Sequence, residues 1–267
     1  MPGNYAHFRF GSELLPLMPP EVRRTVGRFR QLYDMGLHGP DVLLYHDPVI
    51  RDKTVKLSSK LHQQTGTAFF GRVCRTVRMN WSEGATAYLY GLLAHYVLDS
   101  MCHPYISRMS EAGKATHIQI ETEFDRSLLM QDGKTPPHLY DQTGHMRLTP
   151  GECQTAALFY PGVSPSAMGR CVKNMARSCK FLTMPQGLRR ELTTKAMRLV
   201  VPGTVDLVMP VGPDRKCQAM DKDLLRLYDM AKERYIPYLE QLQDHLRRGT
   251  PLSTDFSKIF GETTRKR

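Results

Sequence analysis

The sequence predicts an all-α protein, and three observations predict it. Alternating runs rich in Val, Ile and Thr, which a half-buried strand needs, do not recur along the chain. Apolar residues return instead at helical spacing, most clearly near the C-terminus, where Leu224, Tyr228, Ala231, Tyr235, Leu239, Leu242 and Leu246 fall on one stripe. Between the periodic segments lie turn-forming stretches: Gly39-Pro40, Gly133 to Gly144 with its paired prolines, and Pro202 to Pro213.

Taken in order, the spacing predicts helices over Pro20 to Gly36, Val55 to Met79, Glu83 to Cys102 and His117 to Gln131. Further helices are expected over Pro150 to Phe159, Ser164 to Leu182, Pro185 to Leu199 and Asp221 to Arg248. Pro237 inside the last should kink it, because its ring removes a backbone donor and crowds the preceding turn. No internal repeat or low-complexity segment interrupts the series. The economical reading is a single all-α domain over 1–267, with the metal-type residues in a half of about 1–145 and a C-terminal helical half of about 146–267 packed around it.

At 267 residues the chain can bury a substantial core, and its 41% hydrophobic and 24% charged residues are ordinary for a globular protein. No stretch approaches the roughly 20 apolar residues of a membrane span. Tyr5, His7, Arg9 and Glu13 break up Met1 to Leu17, which lacks the basic start and apolar block of a secretory leader. A cytoplasmic location is therefore expected. The six cysteines, Cys74, Cys102, Cys153, Cys171, Cys179 and Cys217, form no CxxC pair and no repeated spacing. They read as free, buried thiols. The formal net charge of +11 favours anionic partners such as phosphate esters, lipid headgroups or nucleic acid, and equally serves solubility. Its cations are dispersed; only Thr264-Arg265-Lys266-Arg267 forms a small basic tail.

The chemistry lies in two stripes. In Gly91-Leu-Leu-Ala-His95-Tyr-Val-Leu-Asp99-Ser-Met-Cys-His103-Pro104, the residues His95, Asp99 and His103 are four apart and share one helix face. The residues between them are core types, so the stripe buries three polar groups at a few kcal/mol each unless something satisfies them. A metal ion does that, since imidazole and carboxylate are ordinary zinc ligands and i, i+4 spacing brings two of them to one ion. His117 and Glu121 repeat the spacing, and Asp125 extends it by a turn. Two such helices, joined by a short loop through Pro104 to Gly113, would pack as a hairpin and converge their ligands, as helical bundles do. One isolated histidine on a helix is more often a satisfied core or surface residue. Two consecutive stripes over 95–125 are harder to assign to chance.

The pattern His95-x3-Asp99-x3-His103-Pro104-Tyr105 followed by His117-x3-Glu121 resembles the signature of the zinc-dependent phospholipase C family. Upstream, Tyr5-Ala-His7-Phe8, Gly39-Pro40-Asp41 and Leu61-His62 are similar to the family's remaining landmarks, in the same order. The resemblance implies a helical fold of the phospholipase C and single-strand nuclease type with a central metal cleft and two or three zinc ions. It implies that His62, His95, Asp99 and Asp41 hold one ion, that His103, His117 and Glu121 hold a second, and that His7 with a bridging Asp99 holds a third. It further implies hydrolysis of a phosphodiester in a phospholipid or related organic phosphate by a metal-activated water, with Asp41 positioning or deprotonating that water. Partners expected on this reading are the phosphate-ester substrate and an anionic membrane surface, with no stable protein partner. A zinc-dependent single-strand nuclease, with nucleic acid as partner, and a non-catalytic zinc-stabilised binding protein are the alternatives.

Other histidines rank lower. His46, near Asp41, is a candidate for the site but more often a loop residue; His38 reads as helix-terminal. His138, His145 and His245 lack partners at ligand spacing. Phe69 and Phe70 read as core, with an apolar wall for acyl chains as the alternative, and Cys102 suits packing better than ligation. No Gly-x-Ser-x-Gly elbow, phosphate-binding glycine loop or dinucleotide fingerprint is present.

Overall fold

A computed structural model describes residues 3–47, 50–200 and 203–261; the basic tail Thr264 to Arg267 lies outside them. Among the described residues there are eleven α-helices and no strand, only an isolated bridge between Thr65 and Ile259. The helices are α1 (Asn4–Leu14), α2 (Pro20–Arg28), α3 (Arg30–Gly36), α4 (Lys53–His62), α5 (Gly66–Met79), α6 (Glu83–Glu111), α7 (His117–Gln131), α8 (Pro150–Ala157), α9 (Pro165–Leu182), α10 (Leu188–Val200) and α11 (Arg215–Arg248). None is long and apolar enough to cross a membrane.

The sequence of α6 explains its place. From Gly84 to Ser100 every residue is buried, and a helix that is apolar all round has to be surrounded. Helices α3 and α11 pack along it. The contact with α3 is made backbone to backbone: a Cβ on Gly91 would stand 2.2 Å from the Tyr33 carbonyl oxygen and 3.0 Å from Gly36 Cα. Only paired glycines permit that approach. The stripe read from α11 is buried as expected, including Leu224, Tyr228, Tyr235 and Leu246, and α11 continues through Pro237. One hydrophobic cluster runs from Tyr5 to Phe260 and takes in residues from both halves of the chain. All six cysteines are free and buried.

Several expected boundaries move, and the moves matter for the site. The segment Pro20 to Gly36 is two helices, broken at Phe29 (φ −117°, ψ 42°). Val55 to Met79 is also two. Asp52 caps α4 through Thr54 and Val55, Thr65 caps α5 through Ala68, and the break leaves His62 as the last residue of α4. Helix α6 does not stop at Cys102 but passes through Pro104 to Glu111, so the expected loop from Pro104 to Gly113 shrinks to 112–116. Burial of Ile106 beyond the proline continues the packing and offsets the roughly 3 kcal/mol that an interior proline costs. Helix α1 is absent from the predicted set. Its N-cap, Gly3, makes no side-chain cap bond; the cap comes from 120 residues away, where Asp125 accepts from Tyr5 N (3.0 Å) and Ala6 N (2.8 Å). Local pattern cannot reveal a helix whose first turn is held by tertiary contact.

Candidate metal centre

Five imidazoles and three carboxylates converge at the centre of the helical array. Helix α6 supplies His95, Asp99 and His103 on one face, α7 supplies His117 and Glu121 from its first two turns, α1 supplies His7, and the end of α4 supplies His62. Asp41 comes from a 3-10 turn over Gly39–Tyr45. Their ligand atoms form three groups: His7 with His95 and Asp99; Asp41 with His62 and His95; and His103 with His117 and Glu121, the first two sharing His95.

Asp99 sits between these groups with neither oxygen exposed. Oδ1 faces His7 Nε2 at 3.1 Å and His103 Nε2 at 3.6 Å. Oδ2 faces His95 Nε2 at 3.1 Å and His62 Nε2 at 3.9 Å. Asp41 Oδ1 lies 3.0 Å from His62 Nε2 and its Oδ2 lies 3.8 Å from His95 Nε2. On the α7 side, His117 Nε2 is 2.7 Å and His103 Nε2 3.7 Å from Glu121 Oε1. The site deepens from rim to floor. His117 and His62 keep 18% and 12% of their side chains exposed, while His95 and Asp99 keep none.

The outer partners of two rings fix which nitrogen points inward. His95 donates from Nδ1 to the Leu37 carbonyl (3.1 Å), and His62 donates from Nδ1 to the Ser58 carbonyl (2.8 Å). A carbonyl only accepts, so in its neutral form each ring would turn a bare Nε2 lone pair to the centre. The Gly36–Gly91 approach brings Leu37 within reach of His95. Gly39, at φ +51°, lies flat against the same ring: a Cβ there would stand 2.3 Å from His95 Cδ2.

Both Asp99 oxygens, Asp41 Oδ1, and Nε2 of His7, His62, His95 and His103 are buried without a hydrogen-bond partner. Buried polar atoms in such numbers are rare in a folded chain. Divalent cations would satisfy them, and the donor set of imidazole nitrogen and carboxylate oxygen is a zinc set; the residues fit the metal. Burial would push the Asp99 carboxyl up, but the His95, His103 and His7 imidazoles outweigh it and hold it well below the usual carboxylate range. Burial pulls His7 down and His103 well down. For His62, burial acts downward but is overcome by Asp41 beside it.

All eight residues singled out from the sequence, His7, Asp41, His62, His95, Asp99, His103, His117 and Glu121, are therefore brought together. Others are not. Asp125 belongs to none of the groups; it caps α1, with its carboxyl pushed up to about 7 by burial against the pull of the two amides. His46 turns away to pair with Asp52. Phe69 and Phe70 are fully buried among Phe260, Tyr96 and Phe256, so they pack the core and line no wall. Sequence reasoning missed one contact beside the site: His38 Nε2 lies 2.7 Å from His145 Nε2, and the His145 ring stacks on Phe8. Nothing in the spacing of positions 38 and 145 signals that pairing.

A helical array built around a buried cluster of imidazoles and carboxylates defines a class, the all-α metalloprotein with a multi-ligand centre. The comparison with protein families narrows it. The model of the zinc dependent phospholipase C family matches residues 6–160, more than half of the chain, and the chain belongs to that family. The matched span contains all eight clustered residues. No curated protein and no solved structure matches the chain.

Proposed function

We propose that this protein is a phospholipase C-like phosphodiesterase carrying two or three zinc ions on His7, Asp41, His62, His95, Asp99, His103, His117 and Glu121. The observation that carries the reading is the Asp99 carboxylate, fully buried with four imidazole tips within 3.1 to 3.9 Å of its two oxygens. Family membership supports the zinc and the reaction class. Bound zinc would neutralise phosphate oxygens and lower the pKa of a coordinated water to about 7. The chain's own residues supply the rest. Asp41, whose Oδ1 lies 3.0 Å from His62 Nε2, takes a proton from the attacking water. The water oxygen joins phosphorus, the P–O bond to the alcohol side breaks, the proton held by Asp41 passes to the departing alkoxide oxygen, and an alcohol and a phosphomonoester leave. Substrate enters where His117 and His62 are exposed, drawn by the +11 charge. Six buried free thiols are what a reducing compartment maintains, which supports a cytoplasmic location.

Elemental analysis of the purified protein, with hydrolysis of nitrophenyl phosphocholine before and after chelation, tests the proposal. Two or three zinc ions and chelator-sensitive hydrolysis are expected; a zinc-free protein, or hydrolysis indifferent to chelator, would refute it. Preferential cleavage of single-stranded DNA would instead assign a nuclease. Tightly held zinc without any hydrolysis would assign a binding protein.

A further inference from the structure

Helix α10 is built the wrong way round for a helix that packs on a core. None of its 13 residues is buried. Its leucines face outward: Leu188 is 70%, Leu192 56% and Leu199 85% exposed, and Val200, its last residue, is 72% exposed. Positions 188, 192 and 199 repeat at helical spacing and form one stripe. The half-buried positions are Arg190, Thr193, Thr194 and Met197, which lie on the opposite face. Arg190 clamps that inner face by donating to the carbonyls of Met184 and Met209. The exposed residues flanking the leucines include Arg189, Lys195 and Arg198, against a single acid, Glu191.

From this reversed polarity we infer that α10 is an interfacial helix that docks the protein on an anionic lipid surface. A basic amphipathic helix with leucines on its solvent face lies in the plane of such a surface, with the side chains in the acyl boundary and the cations among the headgroups. Charge complementarity selects the occupant, because a second copy of this chain would bring the same cations against each other. The placement is also useful. Asp206, in the 3-10 turn Thr204–Leu207 that follows α10, accepts from Thr116 Oγ1 (2.8 Å) and Gln119 Nε2 (3.2 Å), and its carbonyl accepts from Thr122 Oγ1 (2.9 Å). Those residues form the first turns of α7, where His117 and Glu121 sit. The docking helix is thus fastened to the open rim of the metal centre. The inference deepens the phospholipase C-like reading by naming a substrate in an assembled lipid surface, and its usefulness rests on that reading.

The test is cosedimentation of the zinc-loaded full chain with phosphatidylcholine vesicles, with and without phosphatidylserine. Wild type should bind the anionic vesicles. The variant L188S/L192S/L199S, which alters only exposed side chains, should bind on the order of a hundredfold more weakly. The variant K195E/R198E should lose at least roughly fivefold per cation on anionic vesicles, more at low salt. Wild type left in the supernatant, or a leucine variant that binds like wild type, would overturn the inference. So would a dimer in sedimentation velocity that the leucine variant abolishes while vesicle binding is unchanged, since the face would then meet a second copy. Hydrolysis of the soluble nitrophenyl ester, measured in parallel, reads the metal centre alone. Cleavage of that ester without vesicle binding sinks the docking helix and leaves the enzyme standing. Leucine-dependent vesicle binding without cleavage does the reverse.

Discussion

Gly39→Ala isolates the contact that holds the His95 ring, and its effect can be worked from the geometry. The residue sits at φ +51°, where an L-side chain costs about 1 to 2 kcal/mol. The added methyl would stand 2.3 Å from His95 Cδ2 and 2.6 Å from both Cγ and Nε2, whereas carbon atoms rest at about 3.5 to 4.0 Å. The ring must retreat by about 1 Å, but it is fully buried and tied to Leu37. Overpacking of this kind adds about 1 to 3 kcal/mol. The sum, about 2 to 5 kcal/mol, lowers Tm by roughly 5 to 15 °C for a chain of this size. Gly113→Ala is the matched control: φ is +68° and nothing lies within 4 Å of the new methyl, so it carries only the backbone cost of about 1 to 2 kcal/mol. Displacing the ring also spoils the ligand groups that share His95, and zinc affinity there should fall about 10- to 100-fold, as when an outer partner is lost. Thermal melts of both variants, with chelator competition for zinc, measure the two effects separately. Equal melting temperatures and equal zinc affinities in the two variants would refute the argument that Gly39 is kept small by the His95 imidazole.

Three further outcomes are expected. Asp99→Asn should abolish hydrolysis and release at least one zinc by elemental analysis, a greater loss than the roughly 10- to 100-fold affinity cost of an outer-shell change; unchanged metal content and activity would remove Asp99 from the centre. Asp125 has its folded pKa raised to about 7 from an ordinary 3.8, so its stabilising contribution is complete below about 4 and is lost as pH rises through 7. Urea denaturation in chelator should therefore show wild type losing about 2 to 3 kcal/mol relative to Asp125→Asn between pH 5 and pH 8, and a pH-independent difference would count against a buried, titrating cap. Thr116→Ala removes the capping box with Gln119 and the bond to Asp206, costing about 1 kcal/mol in thermal stability and weakening zinc at His103, His117 and Glu121; unaltered zinc affinity would mean that the first turn of α7 holds without its cap.

The stripes on α6 and α7 were legible because a regular helix converts sequence spacing into spatial alignment. His95, Asp99 and His103 needed only the 3.6-residue period to be placed on one face. His7, Asp41 and His62 had no such guide; each enters from a different element, and only resemblance to a family pattern joined them to the site. Asp125 shows the opposite error. Its spacing from Glu121 continues the ligand stripe, yet by that turn α7 has passed the metal groups and faces the start of α1, where a carboxylate serves as a cap. The splitting of Pro20 to Gly36 and of Val55 to Met79 was equally hidden. Periodicity continues across a break when both pieces bury the same side, and it is Phe29 and the Thr65 cap that decide.

The position of Asp99 has a consequence for how the groups depend on one another. Each of its oxygens faces two imidazoles, Oδ1 those of His7 and His103 and Oδ2 those of His95 and His62. His103 also belongs with His117 and Glu121, and His62 with Asp41. A single carboxylate thus touches rings from all three groups, so any cation that draws an Asp99 oxygen towards itself alters what the neighbouring group has left to offer. In a dry floor, where charges are weakly screened, that coupling is large for the groups nearest Asp99. It weakens towards the rim, where Glu121 supplies a second carboxylate and His117 meets solvent. Occupancy should accordingly be strongly interdependent between the His7 and Asp41 groups, while the His103–His117–Glu121 group fills and empties more nearly alone.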